Sequence, residues 1–521
     1  MIFVHRILNS HFLMLRKNVF ANLLNSAWGV VSVFLFIPLY IEFLGIEAYG
    51  IVAFYTMLLV ILSLADMGFT VTLKREMARF SAVGDLNGMK DALRTYEIIY
   101  LLISILTGCV IYIFAPFIAS YWLNTKSFTS EEMVMAIRLM GISIAMQLPA
   151  GLFIGGLMGL QRQLLANFIN IGVGALRGAG AILVFWLFSP TIFVFFCWQL
   201  FANIVYLVIS RYQLWNIIST GKGRFKGYFR WSVVRETGRF ALGMASISLM
   251  GVVLTQADKL VVGKFASLEM FSYYSVAGTL ASVPVMISSG IGAALFPRFT
   301  EIVALAHKDA LKQVYNQACE AIGVLIIPVG LILVFFSGEF IYAWTGSTQV
   351  ASSAQLTASL LLLGQILQSV TVIPYNFALA HGSVKFSQRL GVLSIALVSP
   401  LLIVLTFNYG ILGAGVSWLV LNCLTFPISI YYLHRQVLST AGMWKYCIRG
   451  VIRPLLISLP FILLTRQFLP VDLSRFKILL YLGIVWLVCI LLSALSFPTI
   501  RAMIFKISKN LYDRMRGSLD R

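Results

Sequence analysis

The sequence predicts an all-α, polytopic membrane protein of about fourteen transmembrane helices, built as two six-helix pseudo-repeats followed by two further helices. The first observation is compositional. Of 521 residues, 60% are hydrophobic and 11% charged, and the mean hydropathy is +0.91. A soluble domain carries about a quarter charged residues, so this much apolar surface must be covered by lipid rather than folded into one water-soluble core. The second is patterning: apolar runs of about 20 residues, enough to cross about 30 Å of hydrocarbon, recur along the whole chain. The third is repetition at a constant offset.

The residues before the first span, Met1 to Lys17, are mixed and basic (Arg6, Arg16, Lys17) and show no small-residue cleavage site, so no cleavable signal peptide is expected. Six spans follow near 19–43, 50–72, 96–121, 133–160, 165–188 and 191–214, the last two split only by Ser189-Pro190. Six more lie near 240–264, 270–297, 317–337, 354–380, 388–407 and 411–433, with Asn408-Tyr409-Gly410 as the turn between the final pair. Two extra spans, near 450–468 and 477–497, precede a basic tail.

With the N-terminus in the cytoplasm, 31 of the 39 Lys and Arg residues fall in cytoplasmic segments. Five fall in external loops (Lys126, Lys264, Arg466, Arg475, Lys477) and three within spans (Arg138, Arg177, Lys259). This asymmetry obeys the positive-inside rule and places both termini in the cytoplasm. It also disposes of nucleic acid as the reason for the net charge of +20, because the basic residues sit in short gaps between apolar spans. The segment Arg211–Arg239, with Lys222, Arg224, Lys226, Arg230 and Arg235 among Tyr228, Phe229 and Trp231, reads as an amphipathic helix on anionic lipid or as a simple topology anchor. The tail Arg501–Arg521 reads the same way.

Leu44-Gly45-Ile46-Glu47-Ala48-Tyr49-Gly50 follows the first span, and Ala266-Ser267-Leu268-Glu269-Met270-Phe271-Ser272 follows the seventh, 222 residues later. At that offset Gly68 meets Gly290 and Leu73 meets Leu295, while Gly159-Leu160-Gln161-Arg162 lies about 221 residues before Ala380-His381-Gly382-Ser383. The expected organisation is a six-helix bundle over 1–225, a second over 226–440, and an appendage of two helices and tail over 441–521. Six is even, so both bundles enter from the same side, the parallel arrangement that keeps a substrate path between halves.

The first half of the chain carries Asn18, Ile37-Pro38-Leu39, Leu44-Gly45, Tyr49-Gly50, Asp66-Met67-Gly68 and Gly159-Leu160-Gln161-Arg162. Gln256-Ala257-Asp258-Lys259 with Gly263, Tyr274-Ser275-Val276-Ala277 and Phe296-Pro297-Arg298 follow. In their order and spacing these residues resemble the polysaccharide transport family of the multidrug/oligosaccharidyl-lipid/polysaccharide exporter superfamily, which includes the O-antigen flippases. The resemblance covers nearly the whole chain. It implies a MATE-like fold and export of an undecaprenyl-pyrophosphate-linked oligosaccharide for cell-surface polysaccharide (O-antigen, capsule or exopolysaccharide). The implied place is a bacterial inner membrane, with polysaccharide polymerase machinery as a partner. The Arg-rich first helices usual in the lipid II flippase branch are absent from this sequence.

Independently of that resemblance, an ionisable residue deep in a span costs about 2.5–3.5 kcal/mol on the insertion scale and is a functional candidate. Arg177 stands near the middle of its span among Gly172, Gly174, Gly178 and Gly180, which would let a backbone or head group come close. Its guanidinium suits a pyrophosphate; the alternative is a structural pair with an acidic neighbour. Asp258 and Lys259, with Gln256, sit toward the outer end of the seventh span as candidates for lining or coupling. Glu320 enters the ninth span a turn below the interface, where snorkelling and substrate contact are both open. Asp66 closes the second span beside Gly68, a position suited to capping a helix. Arg138 is read as snorkelling and Arg298 as a topology charge.

No cofactor motif, nucleophile motif or metal-ligand spacing occurs, and the six cysteines are scattered as packing residues. The longest external loops, near 122–132 and 338–353, bring no paired carboxylates and histidine, which argues against a membrane polymerase or glycosyltransferase. A cation-coupled small-molecule antiporter of the same fold is the competing transporter reading; it favours buried carboxylates, whereas the most central charge is Arg177.

Overall fold

The computed structural model describes residues 2–219, 226–305, 307–382, 385–437, 446–469, 473–498 and 501, with side chains from Asn18 onward except at 19, 308, 385–387 and 433–437. Residues 220–225 of the basic linker and residues 502–521 of the basic tail lie outside the described residues. Packing divides the chain into two compact units, Met1–Ser272 and Tyr273–Arg521.

In the first unit, α1 (Ile2–Leu44) and α2 (Ile46–Leu62) meet at Gly45, whose φ of 87° ends one helix and turns the chain into the next. A 3-10 turn, Ser63–Asp66, then interrupts the second span, and Met67 and Gly68 both take positive φ before α3 (Phe69–Val83). Asp85 caps α4 (Leu86–Tyr121) by accepting from Gly88 N at 2.8 Å. Thr129 and Glu132 form a reciprocal capping box on α5 (Ser130–Gly159). α6 (Gln163–Leu187), α7 (Ile192–Ile218) and α8 (Trp231–Phe265) follow, with the Ser189-Pro190 break where the sequence places it.

Of the basic segment Arg211–Arg239, residues 211–218 end α7, residues 226–230 are non-helical and lie against α4, and residues 231–239 open α8. Asp91 accepts from Tyr228 N at 2.8 Å and pairs with Arg230, Thr95 Oγ1 accepts from Arg230 N, and Glu97 takes Arg211 at 2.5 Å. Carboxylates on α4 thus take up the charge of Arg211 and Arg230 within this segment.

In the second unit, α9 (Leu268–Ala281, whose first turns belong to the first unit) leads to α10 (Val283–Ala304), α11 (Lys308–Phe335) and α12 (Ser337–Thr345). α13 (Thr348–Val370), α14 (Val372–Ala380) and α15 (Lys385–Val437) complete it, with α16 (Arg453–Gln467) and α17 (Arg475–Leu495) at the C-terminus. α15 is two helices folded at Gly410, which has φ 60° and ψ −139°. Thirteen helices among the described residues are long and apolar enough to cross a membrane; Gln388–Tyr432 contains the two arms of α15, so the spans number fourteen. The fold is all-α and polytopic.

Element starts repeat at the interval seen in the sequence: Ile46 and Leu268, Leu86 and Lys308, Gln163 and Lys385 are each 222 residues apart. The packing boundary at Ser272 falls later than the joint between sequence repeats because α8 packs on α2, α3 and α4.

Each unit has its own core. Tyr96, Tyr100, Phe153 and Trp215 centre the first; Tyr315, Ile326, Phe336 and Phe377 centre the second, joined by Ile462 of α16 and Leu482 of α17. Large apolar side chains also stand outward, Phe168 at 75% and Trp186 at 79% exposure, the surface expected of helices solvated by hydrocarbon.

Candidate substrate path

The sharpest polar feature is a stripe along one face of α6. Gln163, Asn167, Asn170, Gly174 and Arg177 succeed one another at spacings of four, three, four and three, which place them in one row. At 1.5 Å per residue the row is about 21 Å long, two-thirds of a bilayer core.

The neighbouring helices answer it. Asn22 of α1 donates to Gln163 Oε1 at 3.1 Å and accepts from Asn167 Nδ2 at 2.6 Å. Tyr206 of α7 donates to Asn170 at 2.9 Å, and Trp28 Nε1 closes on the bare backbone of Gly174. Arg177 donates to Asn203 Oδ1 and lies 5.1 Å from the Tyr206 ring centroid. Asn203 in turn donates to Ser143 Oγ at 2.7 Å and to Tyr55 Oη at 3.2 Å.

Every one of these partners is neutral. Among the described residues no carboxylate lies within 4 Å of the Arg177 guanidinium, and its Nε is buried with no hydrogen-bond partner. A guanidinium carries five donors and does not lose its proton in proteins. The seam therefore holds a permanent positive charge with donors left to give. The acidic pair that was the structural alternative is absent among the described residues.

The glycines around Arg177 act differently from expectation. A Cβ on Gly178 would fall 2.1 Å from the Phe36 ring, and one on Gly180 2.5 Å from Trp198. Gly178 and Gly180 admit aromatic rings of α1 and α7, so they serve helix packing, while Gly172 faces open space.

The other candidates are dispersed. Asp66 accepts from Thr70 N at 3.2 Å and from the hydroxyls of Thr70 and Tyr100, so it caps the first turn of α3 and ties it to α4. Gln256 is buried on α8, with Asp258 and Lys259 half-buried beyond it; α8 packs on α2, α3 and α4, away from the α6 stripe. Glu320 of α11 is buried in the second unit and pairs with Arg449 at 3.3 Å, just before α16. Backbones cross closely beside that pair, since a Cβ on Gly323 would meet Gly450 O at 2.0 Å.

Asn203, Tyr206, Ser143 and Tyr55 went unnoticed in the sequence because single neutral polar residues in spans are common. The 4-3-4-3 spacing on α6 was the signal that could have found the stripe.

The Polysaccharide biosynthesis protein family model matches residues 15–303. That is more than half of the chain. The chain belongs to this family.

A Shigella flexneri protein named for O-antigen transport is 23% identical over 379 residues, 72% of this chain and 87% of that protein. The succinoglycan biosynthesis transport protein ExoT of Rhizobium meliloti is 26% identical over 200 residues, 36% of this chain and 38% of that protein. Among solved structures, the lipid II flippase MurJ in an inward closed conformation superposes with a TM-score of 0.67 at 14% identity, covering 94% of this chain and 99% of that one. An inward-facing multidrug resistance MATE transporter gives 0.63 at 12%, covering 81% and 96%. These two likenesses establish the fold.

Proposed function

We propose that this chain is a flippase that moves a lipid-linked oligosaccharide, carried on undecaprenyl pyrophosphate, from the inner to the outer leaflet of a bacterial inner membrane. Family membership and transport-named relatives support the general activity. The observation that carries the chemistry is Arg177: a fixed cation in mid-span, held by neutral groups, with donors unspent. Such a group offers an anionic head a stopping point in hydrocarbon through charge-assisted hydrogen bonds. The chain is organised as two pseudo-repeats, 1–225 and 226–440, with residues 441–521 as an appendage and both termini cytoplasmic. Gln256, Asp258 and Lys259, on α8 and apart from the α6 stripe, are assigned to coupling rather than to holding the anionic head. The chain performs transport, not catalysis, and hands its cargo to polymerase machinery for O-antigen, capsule or exopolysaccharide.

Deletion of the gene should leave lipid-linked glycan accumulated in the inner leaflet. In that background Arg177→Ala should fail to restore export, and Arg177→Lys should restore a minor part of it, because the point charge remains without the planar fork. Full export by Arg177→Ala, with normal protein levels, removes Arg177 from the path. A cation-coupled antiporter would need a buried carboxylate at this seam, where Arg177 stands instead.

A further inference from the structure

Away from the α6 stripe, the first unit carries an apolar groove of about 330 Å³ between α4, α5 and α7. Leu101, Ser104, Gly108 and Tyr112 line it from α4 at spacings of three and four, so one face of that helix forms a wall. Ile142 and Pro149, seven residues apart, line it from α5. From Leu101 to Tyr112 the wall runs about 16 Å along the helix. Its rim is apolar and faces outward, with Ile105 55% and Ile113 70% exposed. A chain from the surrounding bilayer can therefore enter sideways without crossing the Arg177 seam.

One end of the groove is charged. Arg138 sits one turn before Ile142 on the same face of α5, and its guanidinium lies 4.5 Å from the centroid of the Tyr112 ring, which is part of the wall. Its Nε is buried without a hydrogen-bond partner, and no carboxylate among the described residues lies within 4 Å of it. An apolar trench ending at an unneutralised cation complements an amphiphile with a hydrocarbon chain and an anionic head.

We propose that this groove holds one acyl chain of an anionic phospholipid, with the lipid phosphate on Arg138. The site is separate from the transport route and independent of the proposed cargo. Arg138 then recruits lipid charge instead of merely snorkelling to the interface.

The test is lipid retention by the purified full-length chain, read by native mass spectrometry in detergent with phosphatidylglycerol and phosphatidylcholine of identical chains. The wild type should retain phosphatidylglycerol about tenfold better, because the quaternary ammonium of phosphatidylcholine opposes Arg138 beside the same phosphate, whereas phosphatidylglycerol keeps its net negative charge. Arg138→Gln should bring the two lipids near parity. Ser104→Phe, which replaces a buried unpartnered hydroxyl with a ring that fills the groove, should abolish retention of both.

A second measurement needs no mutation. Cys109 lines the groove and is exposed, as is Cys423 in the other unit. Phosphatidylglycerol should slow alkylation of Cys109 by a hydrophobic maleimide several-fold and leave Cys423 unchanged. Equal retention of the two lipids by the wild type, or unprotected Cys109, overturns the proposal. Displacement of phosphatidylglycerol by equimolar polyprenyl phosphate also overturns it, by assigning the groove to the cargo's tail.

Discussion

The buried charges of this protein divide by the company they keep. Arg177 has only neutral partners, whereas Glu320 faces Arg449 and Glu76 faces both Arg75 and Arg79. A carboxylate so matched is held in place, and removing its partner leaves a charge in a poor solvent. Arg449→Ala should therefore lower stability by about 2–3 kcal/mol, less than the ~3–5 kcal/mol of a fully dry pair because Arg449 is half exposed. Arg466→Ala, which breaks the more exposed contact with Glu339, should cost about 1 kcal/mol or less. Thermal melts of the two variants in one detergent compare them directly. If Arg449→Ala melts like the wild type yet exports poorly, Glu320 belongs to the substrate path and not to the anchor of α16.

At the scale of elements, most helices end where the sequence punctuates them, and two cross so tightly that only glycine fits. α1 and α6 approach through Phe36 and Gly178, and α11 meets the turn before α16 through Gly323 and Gly450. Gly178→Ala should destabilise by about 1–3 kcal/mol through overpacking, whereas Gly172→Ala, facing open space, should lie within about 0.5 kcal/mol of the wild type. A double-mutant cycle with Phe36→Leu should recover a good part of the Gly178→Ala loss, since the two sites share one contact. Additive losses would mean that the ring is not what Gly178 accommodates. Both glycines were legible as unusual in the sequence. Their separate roles were not, because the partner ring lies some 140 positions away along the chain.

Across the whole molecule, loops far apart in sequence gather as an alternating plan requires. In the first unit, Asn124 O accepts from Leu268 N at 2.8 Å, and Glu47 accepts from Thr125 and Lys126. In the second, Arg475 donates to the carbonyls of Ala343 and Trp344. Each of these contacts joins loops separated by an even number of spans, so a misplaced helix would have put the partners on opposite faces. If the cargo is an anion leaving the cell, an inside-negative potential helps by about 2.3 kcal/mol per charge per 100 mV. Collapsing the potential in vesicles should slow export of lipid-linked glycan. An unchanged rate would show that the potential does not drive the step.

What the sequence by itself determined was the membrane plan: the number of spans, the turn at Gly410, the break at Ser189-Pro190 and the 222-residue repeat. All of these follow from hydropathy, turn chemistry and spacing, which act locally along the chain. Tertiary structure alone decided which polar residues face one another. It gave Arg177 to Asn203, Glu320 to Arg449 and Asp66 to Tyr100, and turned Asp91 toward the linker. The reason is physical: in hydrocarbon a polar side chain is stabilised by whichever partner packing brings within reach, and that partner sits on another helix whose rotation no single span encodes.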